Sequence, residues 1–167
     1  LADGKEYLSN TKIPSLEWIP DSVFFKKEPT NTDSLRRDMF VTATDPNGLG
    51  NYIRYFTKKN QGPFLPGRNS VYTDEIIDGS TYTTQVDPGI DRNRPQDEHF
   101  FYVGDTATLK FCNIDKATYT FWNTWEFALQ SIGNPFAQPN KVIGNISNGA
   151  LGAFCGYAAW YGTFELR

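Results

Sequence analysis

The chain has 167 residues, a length typical of one domain with a substantial buried core. Its 16 basic and 19 acidic residues give a net charge of -3. Because no basic run is long enough to follow a phosphate backbone, nucleic acid is excluded as the expected partner. No stretch approaches the roughly 20 consecutive apolar residues of a membrane-spanning helix. Aromatic residues make up 16% of the chain, so we expect some of them to lie near the surface.

The first third of the chain predicts short strands separated by turns. Residues 1–13 predict a strand and turn, which would be the end of a missing preceding domain, and 14–167 would then be the β-sandwich domain. Apolar centres and alternating apolar positions predict strands at 21–28, 38–44 and 51–57. Between the last two, Asp45-Pro46-Asn47-Gly48 predicts a sharp turn, because each of these residues favours turn conformations.

The loop at 60–68 contains two prolines and two glycines, which makes a helix or a central strand implausible there. Phe64 and Leu65 nevertheless lie in its middle, where no periodic pattern requires them to be buried. The loop, through Phe64, Leu65 and Arg68, is therefore predicted to contact a partner or ligand. The alternative is that its apolar residues anchor the loop to the core.

The second half continues the strand pattern around one helix. Strands are predicted at 71–77 and 81–86, joined as a hairpin through Asp78-Gly79-Ser80, and the polar segment 87–98 is predicted to be an excursion. A brief strand is predicted at 99–103, and the clearest alternation in the chain lies at 106–112. The last strand is expected within 149–166.

Residues 115–132 predict the helix, with Asn113 or Asp115 as N-cap and Gly133 as its end. Its apolar positions recur at helical spacing and predict one face that packs on a sheet or closes one end of a sandwich: Thr118, Phe121, Trp122, Trp125, Leu129 and Ile132. Together these elements predict an all-β fold, an antiparallel β-sandwich of immunoglobulin or fibronectin type with one inserted α-helix.

Candidate chemical residues are few. Glu126 falls off the apolar stripe, which predicts a solvated carboxylate, and the alternative is a general acid whose pKa is raised by neighbouring aromatic rings. The only histidine, His99, cannot build a two-histidine metal site. Four acids in the excursion, Asp87, Asp91, Asp97 and Glu98, lack the spacing of a calcium loop and are expected to be solvated.

Two further sets of residues leave alternatives open. Trp122, Trp125 and Trp160 are either a sugar-stacking platform or core residues, and the helical spacing of the first two favours the core. Cys112 and Cys155 are either two free side chains or one disulfide between neighbouring strands, and their number gives no zinc-ligand spacing. No catalytic residue, metal site or cofactor is predicted.

Motifs along nearly the whole chain resemble DUF4249, a family of unknown function known from lipoproteins of Bacteroidota. The segments that carry the resemblance lie in the same order as in the family: 1–7, 11–14, 45–48, 50–55, 64–71, 74–79, 104–106, 114–119, 133–137, and 145 with 149–152. The ordered set is more specific than any one of these segments.

The resemblance implies an outer-membrane lipoprotein, anchored through an N-terminal cysteine that is not part of this sequence, on the periplasmic or cell-surface side. It also implies a preceding immunoglobulin-like domain and association with a TonB-dependent receptor, and it supplies no catalytic residue. We therefore expect a non-enzymatic accessory domain that binds the receptor, with a glycan or peptide as another candidate ligand. The alternatives are a carbohydrate-binding module and a carboxylate-dependent hydrolase with Glu126 near an acid of 87–98.

Overall fold

The computed structural model describes residues 4–27, 33–91, 100–133 and 141–167 of the chain. These residues form eight strands and one helix, which in chain order are β1 (Pro20–Lys26), β2 (Arg36–Thr44), β3 (Tyr52–Lys59), β4 (Val71–Thr73), β5 (Thr81–Val86), β6 (Phe101–Tyr102), β7 (Thr106–Ile114), α1 (Lys116–Gln130) and β8 (Tyr157–Glu165).

The strands make two antiparallel sheets. In the first sheet β2 lies between β1 and β5, and β6 also pairs with β2. In the second sheet the order is β4, β3, β7, β8. This arrangement confirms the predicted all-β sandwich with one inserted helix.

The core lies between the two sheets, where alternate side chains of each strand point inward. β2 contributes Met39, Val41 and Ala43, which are at most 1% exposed. β7 contributes Ala107, Leu109 and Phe111 from the opposite side, and both sets belong to one cluster with Trp18. Because successive side chains of a strand point to opposite faces, this alternation fixes which residues of the same strands face outward.

The helix lies on the outer face of the second sheet, as the apolar stripe predicts, but it ends at Gln130, and Trp125 and Ile132 of the predicted stripe are exposed. It begins after Asp115, whose carboxylate Oδ1 accepts a hydrogen bond of 2.8 Å from the backbone N–H of Thr118. α1 contacts β3 and β4, and the ring of Tyr119 lies 5.0 Å from that of Tyr52. Of the two predicted N-caps, Asp115 is therefore the one used.

The predicted hairpin at 78–80 is wrong. β4 ends at Thr73 and pairs with β3 of the second sheet, whereas β5 pairs with β2 of the first sheet. Local turn bonds begin immediately after β4, since the N–H of Ile77 donates to the carbonyl of Asp74 and the N–H of Ser80 to that of Ile77. The segment between these strands therefore crosses from one sheet to the other.

The predicted strand within residues 1–13 is not formed in its described part, because residues 4–19 belong to no strand. The segment is held on the domain by bonds to the irregular segment before β8. The N–H of Leu8 donates to Ser147 Oγ at 2.8 Å, and the N–H of Ser147 donates to the carbonyl of Leu8 at 2.8 Å. Such single bonds fix an extended segment without building a ladder, and the last strand begins only at Tyr157.

Asn113 connects β7 to the segment before β1. Its Oδ1 accepts from the N–H of Trp18 at 3.0 Å and its Nδ2 donates to the carbonyl of Trp18 at 2.7 Å, both in the buried interior. Asn113→Ala should lower the free energy of unfolding by about 2–4 kcal/mol, because it leaves two buried backbone groups unpaired. Urea unfolding checks this value.

The control is Thr163→Ala, which removes an exposed hydroxyl bond to Thr108. It should change the free energy of unfolding by less than about 0.5 kcal/mol. Equal losses in the two variants would show that Asn113 has no special part in joining the two segments.

Candidate functional site

The outer face of the second sheet is covered by α1 over only part of its area. On β3 the outward side chains are Tyr52, Arg54, Phe56 and Lys58, and the helix lies over the first two, through Tyr119 and Trp122. The remainder of this face carries aromatic and basic side chains that we call the outer aromatic surface: Phe56, Lys58, Phe64, Lys110, Tyr157 and Tyr161.

Strand pairing places these side chains side by side. Lys110 of β7 lies opposite Phe56 on one neighbour and opposite Tyr161 on the other. Its Nζ donates to Tyr157 Oη at 2.7 Å and lies 4.2 Å from the centre of that ring. Burial lowers the pKa of Lys110, but the hydrogen bond to Tyr157 and the charges of Cys112, Tyr157 and Tyr161 together outweigh it, and the net shift is upward. The surface therefore keeps a fixed positive charge among its rings.

The loop at 60–68 supplies one residue to this surface. Phe64 is 37% exposed, lies 5.8 Å from Tyr161 with the rings at 66°, and has Lys58 Nζ 5.7 Å from its ring centre. Leu65 is half-buried, and both its N–H and its carbonyl bond to Thr57 at 2.9 Å. Both predicted alternatives thus occur in one loop, since Leu65 anchors it and Phe64 stays accessible.

Arg68 does not join Phe64. Its exposed side chain lines an open cleft of about 530 Å³ between α1 and the loop, which we call the helix–loop cleft. Trp125, Glu126 and Gln130 form the helix side of this cleft, and Ile90 lies on the other. The three residues predicted to act as one contact site are therefore separated: Phe64 belongs to the outer aromatic surface, Arg68 lines the helix–loop cleft, and Leu65 anchors the loop.

Glu126 corrects the sequence analysis, which predicted a solvated carboxylate. It is 7% exposed, and its Oε2 accepts from the N–H of Ser70 at 2.9 Å while its Oε1 accepts from the Ser70 hydroxyl. Arg54 Nε donates to the same hydroxyl at 3.1 Å. Glu126 follows Thr118 and Trp122 at steps of four residues, so it shares the helix face that packs on the sheet. This spacing of four residues is the sequence pattern from which the burial of Glu126 could have been predicted.

Burial sets the ionisation of this network. Burial raises the pKa of Glu126, although the bonds from Ser70 and the charge of Arg54 act in the opposite direction. Burial also lowers the pKa of Arg54 to about 10, against the attraction of Glu126. The guanidinium lies 3.5 Å from the centre of the Trp122 ring. Because both carboxylate oxygens of Glu126 accept bonds, the network fastens α1 to the segment before β4.

Within the described part of the segment 87–98, Asp87 is the acidic residue near the network of Glu126 and Arg54. Burial raises its pKa, against the attraction of Arg68. Burial raises the pKa of Tyr55 and of Tyr72, and the charges of Asp87 and Glu126 act in the same direction on both phenols. His99, Asp97 and Glu98 lie outside the described residues, and Asp91 is half-buried.

The three tryptophans do not form one platform. Trp122 and Trp125 are neighbours on α1, 5.5 Å apart with their planes at 79°. Trp160 lies on the other face of β8, where it packs against the main core. A sugar-stacking surface built from these three rings is therefore wrong, because the pleat of β8 directs Trp160 away from the helix.

Both cysteines are free thiols in the structure, so the alternative of two unbonded side chains is the one observed. Burial raises the pKa of Cys112 to about 11. This thiol therefore has little thiolate character at neutral pH. Among the described residues, none of the helices is long and apolar enough to cross a membrane.

Glu126→Gln should change how stability depends on pH. A raised pKa means that the folded state holds the Glu126 proton more tightly than the unfolded state. The resulting stabilisation is complete below the ordinary value of 4.5 and is lost as the pH rises through the folded-state pKa. Relative to Glu126→Gln, the unmodified protein should thus become less stable as the pH rises above about 4.5.

Urea unfolding at a series of pH values measures this difference. The control is Glu75→Gln, which removes an exposed carboxylate from the segment after β4. Its unfolding free energy should stay nearly parallel to that of the unmodified protein. If the unfolding free energy of Glu126→Gln also ran parallel to that of the unmodified protein across this pH series, the burial and ionisation described for Glu126 would be contradicted.

Comparison with known proteins gives one assignment. No curated protein and no solved structure matches the chain. A family model described as "Domain of unknown function (DUF4249)" matches residues 1–160, which is nearly the whole of the 167-residue sequence. That family carries no assigned enzymatic activity. The chain therefore belongs to the DUF4249 family, as its ordered motifs predict.

Proposed function

We propose that this chain is a non-enzymatic accessory domain that binds a protein partner through the outer aromatic surface. The observation that carries the proposal is a group of exposed rings with two ammonium groups among them. Phe64, Tyr157 and Tyr161 are 37%, 44% and 54% exposed. Tyrosine and phenylalanine are enriched in the cores of protein interfaces, where they bury a large area at low entropic cost.

The geometry of the rings favours a protein partner over a glycan. A sugar stacks on a free ring face, but here Lys110 Nζ lies over Tyr157 at 4.2 Å and over Phe56 at 5.1 Å. Lys58 Nζ is placed similarly over Phe64. Phe64 and Tyr161 meet edge to face and present no common plane. A cation thus already lies over one face of Phe56, of Phe64 and of Tyr157.

The two lysines indicate the charge of that partner. Burial lowers the pKa of Lys110, but its hydrogen bond to Tyr157 and the neighbouring charges together raise that pKa, so Lys110 keeps its proton. Opposite charges across an interface accelerate association and select the partner. We therefore expect the partner to present an acidic patch to this surface.

The identity of the partner is proposed from the family resemblance. We propose a TonB-dependent receptor, with the chain forming part of a lipoprotein anchored in the outer membrane of a Bacteroidota species, on the periplasmic or cell-surface side. The outer aromatic surface supports a protein partner of this kind, and the receptor itself is supported by the resemblance alone.

A carboxylate-dependent hydrolase is the second candidate, and one observation favours it. Glu126 lines the helix–loop cleft, and its charge and that of Asp87 both act on Tyr55 and Tyr72. Burial raises the pKa of both carboxyl groups, as a general acid requires. We rank this function second because Ser70 already donates to both oxygens of Glu126.

Affinity purification of the full-length lipoprotein from its native membrane tests the first proposal. The test variant is Phe64→Ala with Tyr161→Ala, and the matched control is Phe127→Ala, an exposed aromatic residue of α1 outside the surface. The double variant should lose the receptor by about 30-fold or more, the effect of removing an interface hot spot. The control should recover as much receptor as the unmodified protein.

Thermal melting of each variant shows whether it is folded. Equal recovery of the receptor by the double variant and the control would overturn the assignment of this surface. Absence of the receptor from every preparation would overturn the proposal that a TonB-dependent receptor is the partner. Hydrolysis of a glycan that is lost in Glu126→Gln would instead support the second function.

A further inference from the structure

Three aspartates meet where the chain crosses between the two sheets. Asp45 directly follows β2, and Asp74 and Asp78 belong to the segment from β4 to β5. Each offers one carboxylate oxygen, and these oxygens all lie within 4.8 Å of one another. We call this group the carboxylate cluster. Residues 45 and 74 are distant in sequence, so the tertiary structure alone brings the three together.

Backbone N–H groups hold each carboxylate in place. Asp45 Oδ2 accepts from Gly79 at 3.1 Å, and Asp78 Oδ1 accepts from Gly48 at 2.7 Å. Asp74 Oδ2 accepts from the N–H groups of Gly50 and Asn51, both at 2.8 Å. The two connections therefore bond to each other reciprocally, which positions the carboxylates while leaving one oxygen of Asp45 without a role.

That oxygen is an independent sign of a missing partner. Asp45 is 2% exposed, and its buried Oδ1 has no hydrogen-bond partner among the described residues. Asp74 is 1% exposed. The ion pairs formed within the described parts of the chain include none of the three aspartates. Buried carboxylates without a cation or a donor are costly, so the cluster requires a positive group or a proton.

We propose that the carboxylate cluster binds a calcium ion that ties the two sheets together at this end of the sandwich. Calcium takes oxygen ligands at about 2.3–2.6 Å, so two ligands on opposite sides of the ion lie about 4.6–5.2 Å apart. The separations within the cluster fit a single ion of this size.

The ligand set selects calcium among common metals. The cluster offers oxygen alone, whereas zinc and copper sites in proteins are built mainly on histidine nitrogen and cysteine sulfur. Magnesium usually keeps several waters and one or two carboxylates, but here three carboxylates converge and two are buried. Asn47 Oδ1 lies beside Gly79, whose N–H donates to Asp45.

Calcium titration of the full chain after EDTA treatment tests the site, with the melting temperature as readout. Calcium chloride at about 100 times its dissociation constant should raise the melting temperature by about 5–10 °C. Magnesium chloride should raise it less, and sodium chloride at equal ionic strength should not reproduce the shift.

Two variants locate the effect. Asp78→Asn keeps an acceptor for the N–H of Gly48 and replaces an exposed side chain, so the variant should fold but lose most of the calcium shift. In EDTA it should melt above the unmodified protein, because one like charge is removed. Glu75→Gln, in the same segment but outside the cluster, should respond to calcium like the unmodified protein.

Terbium gives a second readout that does not depend on stability. Tyr82 pairs with Ala43 of β2, two residues before Asp45, so its phenol is the expected sensitiser of bound terbium. Calcium should displace terbium and so reduce the terbium luminescence, and Asp78→Asn should show little of this luminescence. A melting temperature indifferent to calcium, or an equal response in Asp78→Asn, would overturn the proposal and assign the cluster a shared proton instead.

Discussion

The structure depends on the burial of both faces of β7. Its inward residues fill the space between the sheets, and its last four residues, 111–114, are buried on both faces. The chain turns directly from this strand into α1, which covers the outer face beside Cys112 and Ile114. Because β3 and β8 pair along its whole length, β7 positions the second sheet, the helix and the surface that the helix leaves open.

The proposed binding surface follows from the limited reach of that helix. Where α1 lies over the sheet, outward residues such as Arg54 are buried and Cys112 is shielded from solvent. Beyond it, Lys110 and Tyr161 remain accessible in neighbouring strands. A second sheet fully covered by helix would lack this surface, and a sheet without the helix would expose the apolar residues beneath it. The partly covered sheet thus separates a structural half from a binding half.

Buried charge is treated differently in two places. Under α1 the carboxylate of Glu126 lies with the guanidinium of Arg54 and the donors of Ser70, so opposite charges and hydrogen bonds satisfy the network from within. At the crossing between the sheets Asp45 and Asp74 are buried with like charge beside them. The first arrangement is complete within the described chain, whereas the second calls for a cation, which is why calcium is assigned there.

Local patterns in the sequence determined the elements. The alternation of 106–112, the cap at Asp115 and the turn at 45–48 each encode a period or a backbone preference within a few residues. Of the proposed contact site, the exposed Phe64 could be predicted from its place in a loop of prolines and glycines. Each of these features is encoded by residues that are neighbours in the sequence, so it could be predicted without knowledge of any long-range contact.

Only the tertiary structure decided which strands share a sheet and which polar groups meet. Residues 71–77 and 81–86 predict a hairpin, but in the structure β4 pairs with β3 and β5 pairs with β2. Glu126 can be buried because Ser70 and Arg54 lie beneath the helix and form a hydrogen-bonded network with it. Asp45 lies close to Asp74 and Asp78 only once the β2–β3 connection packs against the β4–β5 connection. Such contacts join residues distant in sequence, and since pairing energies depend on all neighbours at once, no local pattern specifies them.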